Sequence, residues 1–412
     1  MIDFSYDQES YDPSAIKIKV LGVGGAGGNT VNSMIESEGL QDIDFLVANT
    51  DCQALKYSRA LHKVQLGSKS TKGLGSGANP ELGRRATEED LEEILDLLAG
   101  ADIVFIAAGM GGGTGSGGAP VIARALKERG ILTIAIVTKP FLFEGRRRMA
   151  VAEDALAELK KEVDTLIVVP NQKLLDVVDR SISMIEAFSM INELIIRSVK
   201  SISDIIIKPG HINVDFADLR SIMKDMGLAI MGTGSASGEG RAKEAAKKAI
   251  SSSLLENMDI KRARGVLLNI TGGLDLSLHE INDAANVIYD ESDKNANIIL
   301  GSVIDENLHD EVIVSVVATG FTSEAETVQF DRKHEREITP VRPVNNAILE
   351  REPESIIQRI DHVLEKAKVE LVLSKSEKTA YDLDVPAFLR NKNREVTSPA
   401  FSKNNSEEQN NQ

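Results

Sequence analysis

Continuous apolar runs alternate with helical-period segments along the first 170 or so residues. Residues 16–22, 45–49, 64–66, 103–108, 132–138 and 165–169 read as strands. Ile103-Val104-Phe105-Ile106-Ala107-Ala108 is apolar at every position, as suits a strand of a parallel sheet covered on both faces. Helical spacing fills the gaps, as over 87–98 and 149–161. The pattern predicts an α/β fold: a doubly wound, mostly parallel sheet over residues 15–180, with loops at the strands' carboxyl ends open to a ligand.

Residues 181–204 predict a long connecting helix. Ile182, Ile185, Phe188, Ile191, Ile195, Val199 and Ile202 keep helical spacing, and Met184, Ala187 and Ile196 are apolar on other faces. A helix apolar on most sides is buried between two layers. Residues 205–320 predict a second, smaller α/β domain, with strands at 228–231, 265–270, 297–302 and 311–318 and helices at 238–257 and 277–289. Residues 1–14 predict a flexible polar N-terminus. Residues 321–380 predict a charged linker, yet Ile356, Ile360, Val363, Ala367 and Leu371 imply a helix within it at 352–375. A short apolar peptide at 381–392 precedes a disordered, asparagine-rich tail at 393–412.

Charge and cysteine content narrow the classes. The 412 residues carry 47 Lys and Arg against 63 Asp and Glu, a net charge of −16. That opposes nonspecific nucleic-acid binding and adhesion to anionic lipid. Cys52 is the only cysteine, so no intramolecular disulfide forms, and a reducing compartment is expected. The N-terminus lacks a signal-peptide pattern, and no apolar run approaches the roughly 20 residues of a membrane span. The expectation is a cytoplasmic, soluble chain.

Three glycine clusters follow strands. Gly22-Val23-Gly24-Gly25-Ala26-Gly27-Gly28 contains G-x-G-x-x-G between a strand and a helix, and Asp51 ends the next strand. Alone, this cluster favours a dinucleotide site with Asp51 on the ribose, against a tight turn without a ligand. The second cluster, Gly111-Gly112-Gly113-Thr114-Gly115-Ser116-Gly117, runs into a helix expected to begin near Ala119-Pro120. Five glycines and two hydroxyls in seven residues let backbone N–H groups converge on a phosphate. No Gly-Lys-Ser/Thr closes it, so it is not a Walker loop. Two such loops on one sheet suit a compact triphosphate. The third, Gly73-Leu74-Gly75-Ser76-Gly77-Ala78-Asn79-Pro80, reads either as a mobile loop or as a cover over a terminal phosphate.

Two polar stretches complete the candidates. Asp215 and Asp218, three apart after Asn213, read as helix-capping groups or as carboxylates that position a water, and the two roles are compatible. Arg146, Arg147 and Arg148 crowd a predicted helix start, where cations oppose the dipole, which favours an anionic ligand. The six histidines show no metal-ligand spacing.

Together these motifs resemble the tubulin/FtsZ GTPase superfamily and, within it, the FtsZ family of bacterial tubulin homologues. The resemblance covers about residues 14–320 and the peptide at 383–390. It implies binding and hydrolysis of GTP, head-to-tail polymerisation into a division ring at midcell on the inner face of the membrane, and hydrolysis at the subunit interface. It implies a GTP site of Gly24, Gly25, Ala26, Gly27, Gly28, Asn29, Asn49, Asp51, Gly75, Ala78, Asn79 and Gly111 through Gly117 (Gly112, Gly113, Thr114, Gly115 and Ser116 between). In that site Phe188 stacks on guanine, Asn29 and Asn192 bond its edge, and Glu144 and Arg148 contact the ribose–phosphate region. Asn213, Asp215 and Asp218 act on the neighbouring subunit's GTP. Mg2+ is held by phosphates and water, not by side chains. Asp384, Val385, Pro386, Phe388, Leu389 and Arg390 dock onto membrane-tethering division proteins such as the actin-like FtsA. The alternatives are a Rossmann-type NAD(P)-dependent oxidoreductase and a structural tubulin relative that no longer hydrolyses nucleotide.

Overall fold

The computed structural model describes residues 16–321, apart from 177, 180, 209, 211 and 252–259. The expected N-terminal segment 1–14, the linker from 322 with its helix at 352–375, the peptide 381–392 and the tail 393–412 lie outside the described residues.

The first half runs β1 (Ile18–Val23), α1 (Gly24–Glu36), β2 (Asp44–Asn49), α2 (Cys52–Tyr57), β3 (His62–Gln65), α3 (Pro80–Glu89), α4 (Leu91–Leu97), β4 (Ile103–Gly109), α5 (Thr114–Glu128), β5 (Leu132–Lys139), α6 (Arg146–Glu162), β6 (Thr165–Pro170) and α7 (Asn171–Leu174). There follow α8 (Met184–Ile207), α9 (Phe216–Met223), β7 (Gly227–Ser237), α10 (Arg241–Ile250), β8 (Gly265–Gly272), α11 (Leu278–Glu291), β9 (Asn297–Ile304) and β10 (Glu311–Thr319). Among the described residues the strands form one sheet in the order β3-β2-β1-β4-β5-β6-β7-β10-β8-β9. It is parallel from β3 to β7, antiparallel on both sides of β10, and parallel again between β8 and β9. The fold is the mixed, mostly parallel α/β class that the pattern predicts.

The central strands are apolar throughout because both faces are covered. On β4, Ile103 and Phe105 join the core beneath α1 and α8, while Val104, Ile106 and Ala108 join the core beneath α5 and α6. A third core lies between β7, β8, β10, α10 and α11. Helix α8 touches both halves. Asn192 meets Thr30 of α1, and Ser201 meets Ser315 of β10. Among the described residues no helix is long and apolar enough to cross a membrane.

Four elements differ from the pattern's forecast. The helix expected over 87–98 is two helices parted at Asp90, whose carboxylate accepts the Gly67 N–H at 2.6 Å. Helix α5 starts at Thr114, not near Pro120, so the glycine run supplies its first turn. Glycine is unfavourable inside a helix, but Gly117 here lies against the backbone of Pro80 and Arg84, where a Cβ has no room. Strand β7 reaches Ser237 although Gly232 and Gly234 suggest a break, because β10 pairs with it along nine positions. The connecting helix starts at Met184, where Ser183 and Glu186 form a reciprocal capping box. Its first turn leaves Met184 and Ile185 exposed, and burial on this helix begins at Ala187.

Candidate functional site

A cavity of about 310 Å³ opens at the carboxyl ends of β4, β5 and β6, between the start of α1 and the start of α8. Gly24 (φ +73°) makes the turn from β1 into α1, and the absence of a Cβ at Gly27 lets α1 press against the Ala107 carbonyl. Helix α1 starts at this cavity and α5 starts beside it, against the turn at Gly24, with none of residues 111–117 lining the cavity itself, and neither helix has a side-chain cap. Their first-turn N–H groups therefore lack helical partners and carry the positive ends of two dipoles. Helices α2, α3, α8, α9 and α11 are capped by Asp51, Asn79, Ser183, Asp215 and Ser277, while α4, α6, α7 and α10 are also without a side-chain cap, so what sets α1 and α5 apart is that their starts adjoin, a Cβ on Gly24 falling 3.1 Å from the Gly115 nitrogen. Two uncapped helix ends meeting at one sheet edge make an anion cradle. Gly25 and Gly112 border open space, where a Cβ would meet nothing within 4 Å among the described residues. Gly111 (φ +92°) turns the chain and donates its N–H to the Ser116 hydroxyl at 2.9 Å. Gly115 sits close to the Gly109 carbonyl, and Gly28 to Val47.

The 73–80 loop is packed rather than free. The Gly75 N–H donates to the Thr50 carbonyl at 3.1 Å, and the Ser76 hydroxyl meets the Thr114 hydroxyl at 3.0 Å. Gly75 and Ala78 take positive φ, and Asn79 caps α3 through the Glu81 and Leu82 N–H groups. Buried Asn49 accepts the Asp51 N–H at 3.3 Å, and Asp51 accepts the Gln53 N–H at 2.8 Å. The Asp51 carboxylate therefore caps α2, which weakens its reading as the ribose acid of a dinucleotide site.

The opposite wall is aromatic and amide. Phe188, 41% exposed, lines the cavity and meets Phe141 edge-on with ring centroids 5.7 Å apart. Asn29, Asn171 and Asn192 line the same space. Asn192 accepts from the Thr30 hydroxyl at 3.0 Å and donates to the Ser33 hydroxyl at 3.3 Å, which fixes its amide. Glu144 accepts the Phe141 N–H at 2.9 Å and pairs with Arg148, also at 2.9 Å. Of the three adjacent arginines only Arg148 lines the cavity, and Arg146 and Arg147 are exposed.

Sequence reasoning missed Asn171. It is buried, and its Oδ1 has no hydrogen-bond partner among the described residues. A buried acceptor left unpaired calls for a partner. Its place just past the carboxyl end of β6 was the available signal.

Asn213, Asp215 and Asp218 are not brought to the cavity. They lie just beyond the other end of α8, whose 24 residues span ~36 Å. All three are exposed. Asn213 accepts the Gly210 N–H at 2.8 Å, and Asp215 caps α9. The peptide residues Asp384 to Arg390 lie outside the described residues.

A parallel α/β sheet with two uncapped helix ends, glycine loops and an aromatic–amide wall defines a nucleotide-binding domain of the tubulin kind. Residues 17–179 match the family model described as "Tubulin/FtsZ family, GTPase domain", and 227–322 match "FtsZ family, C-terminal domain". The chain belongs to the FtsZ family. It is 55% identical over 309 residues to a cell division protein FtsZ of Magnetospirillum gryphiswaldense, covering 75% of this chain and 55% of the relative. A second, from Bartonella bacilliformis, is 52% identical over 334 residues, covering 81% and 56%. The chain thus spans little more than half the length of these curated relatives. Among solved structures it resembles an empty FtsZ dimer of M. jannaschii (43% identity, TM-score 0.71, 75% of this chain and 89% of that one). It also resembles CetZ2 from Haloferax volcanii, solved as a GTPγS-bound protofilament (26%, TM-score 0.64, 78% and 98%).

Proposed function

We propose that this chain is an assembly-activated GTPase that stacks head-to-tail into division filaments. GTP occupies the cavity between α1, α5 and α8, with guanine against Phe188 and its edge on Asn29, Asn171 and Asn192. The unpaired Asn171 Oδ1 fits the N–H edge of guanine. Gly24 to Gly28 and Gly111 to Gly117 hold the phosphates, loop 73–80 borders the terminal one, and Glu144 with Arg148 borders the ribose. Mg2+, when bound, neutralises charge on the phosphate oxygens.

The observation that carries this reading is the length of α8. It keeps Asp215 and Asp218 a helix-length away from the cavity of their own chain. Head-to-tail stacking places them at the neighbour's γ-phosphate, where they orient and deprotonate an in-line water. The half over 15–180 together with the start of α8 then supplies the pocket, and the half over 205–320 supplies the carboxylates. The dimer and protofilament solved for the FtsZ and CetZ relatives support such stacking. The peptide 381–392 serves as the handle for a membrane-tethering partner at midcell.

The test mixes two inactive variants, Asp218→Ala and Gly113→Ala. Co-assembled, some interfaces combine an intact pocket with an intact carboxylate loop, and GTP turnover returns. Demonstrated co-assembly with turnover still at zero would place the whole site within one chain.

A further inference from the structure

Three hydroxyls from three separate segments meet beside the phosphate loop. Thr50 follows β2, Ser76 belongs to loop 73–80, and Thr114 opens α5. The Thr50 and Thr114 oxygens are 2.7 Å apart, and those of Thr114 and Ser76 are 3.0 Å apart. All three residues are buried.

Each hydroxyl has one proton and two lone pairs. Thr50 is fully buried, and its hydroxyl meets only Thr114 among the described residues, so it donates there. Two arrangements remain. Either Thr114 donates to Ser76, or Ser76 also donates to Thr114. In the second, Thr114 accepts two bonds and its proton is released to a third partner. That partner is an acceptor at the uncapped end of α5, where an anion is favoured.

We propose that Thr50 and Ser76 are positioning residues that aim the Thr114 O–H at a nucleotide phosphate. Phosphate binding reverses the Ser76–Thr114 bond, Ser76 then donating to Thr114. This rests on the GTP reading of the cavity.

The test measures GDP and GTPγS affinity of the full chain by titration. Ser76→Ala and Thr50→Val are each expected to weaken binding about five- to tenfold. Ser76→Thr is expected to retain it. Ser76→Ala added to Thr114→Val is expected to weaken binding no further than Thr114→Val alone. Hydrogen exchange over 73–80 is the second readout and needs no Thr114 variant: GDP slows it in the unaltered chain and not in Ser76→Ala. Unchanged affinity in Ser76→Ala, an equal loss in both Thr114 backgrounds, or equal slowing of exchange would overturn the relay while leaving the GTP site standing. Failure of the unaltered chain to bind either nucleotide would remove the GTP reading itself.

Discussion

The Asp215 carboxylate accepts the Asp218 N–H at 2.7 Å, so one of the two candidate catalytic acids is also the N-cap of α9. The bond fixes the spacing of the pair at a surface-exposed turn. It leaves the Asp218 carboxylate and the second Asp215 oxygen open to a water or a neighbouring molecule.

Capping and catalysis separate by substitution. Asparagine caps about as well as aspartate, whereas alanine costs about 1 kcal/mol. Asp215→Asn is therefore expected to keep the stability of the parent and lose most GTP turnover. Asp215→Ala should lose both, as followed by urea denaturation and phosphate release. Normal turnover in Asp215→Asn would reduce this residue to a cap.

Gly112 and Gly113 should part company in the same way. A Cβ on Gly113 would fall against the Ser76 hydroxyl and within 2.8 Å of the Asn79 N–H, so alanine there displaces loop 73–80. Thermal stability should fall, and GTP affinity should fall about tenfold or more. A Cβ on Gly112 meets open space, so alanine there should spare stability and weaken only nucleotide binding. Differential scanning fluorimetry with and without GDP distinguishes the two.

Asn171→Ala removes a buried acceptor that has no partner among the described residues. Stability should hold or rise slightly, while affinity for guanine nucleotide drops about tenfold. Titration with GDP and ADP should also show reduced preference for guanine. An unchanged preference would detach Asn171 from the base.

The second half carries an acid-labile clamp. Buried Arg241 bonds Glu280 and Asp275, each at 2.7 Å, joining the starts of α10 and α11 to the loop between β8 and α11. The Arg241 hydrogen bond holds the Glu280 carboxyl down to about 2, against an ordinary value of 4.5. A depressed carboxylate stabilises the fold above its unfolded pKa, and that contribution is lost as pH falls from about 4.5 toward 2. Glu280→Gln should lower stability at neutral pH by about 2–3 kcal/mol and flatten the loss between about pH 4.5 and 2. Urea midpoints at several pH values measure both.

Pattern alone determined the parallel sheet, because strands covered on both faces must be apolar at every position, as 103–108 are. It also marked the glycine loops, since convergent backbone N–H groups need residues without Cβ atoms. The start of α5 escaped the pattern because glycine carries no helical signal of its own, and only the approach of Pro80 and Arg84 makes a glycine-built first turn favourable. The reach of β7 to Ser237 depended on a partner strand remote in sequence, β10. Asn171 looked like any polar residue after a proline until burial left its oxygen without a partner among the described residues. The separation of Asp215 and Asp218 from the cavity was already legible in the helical periodicity over 181–204, since a helix of that length holds its two ends apart, whereas the meeting of Thr50, Ser76 and Thr114 came from tertiary structure. That meeting joins three segments far apart in the chain, whose mutual distances are set by how helices and strands pack, and no local periodicity encodes them.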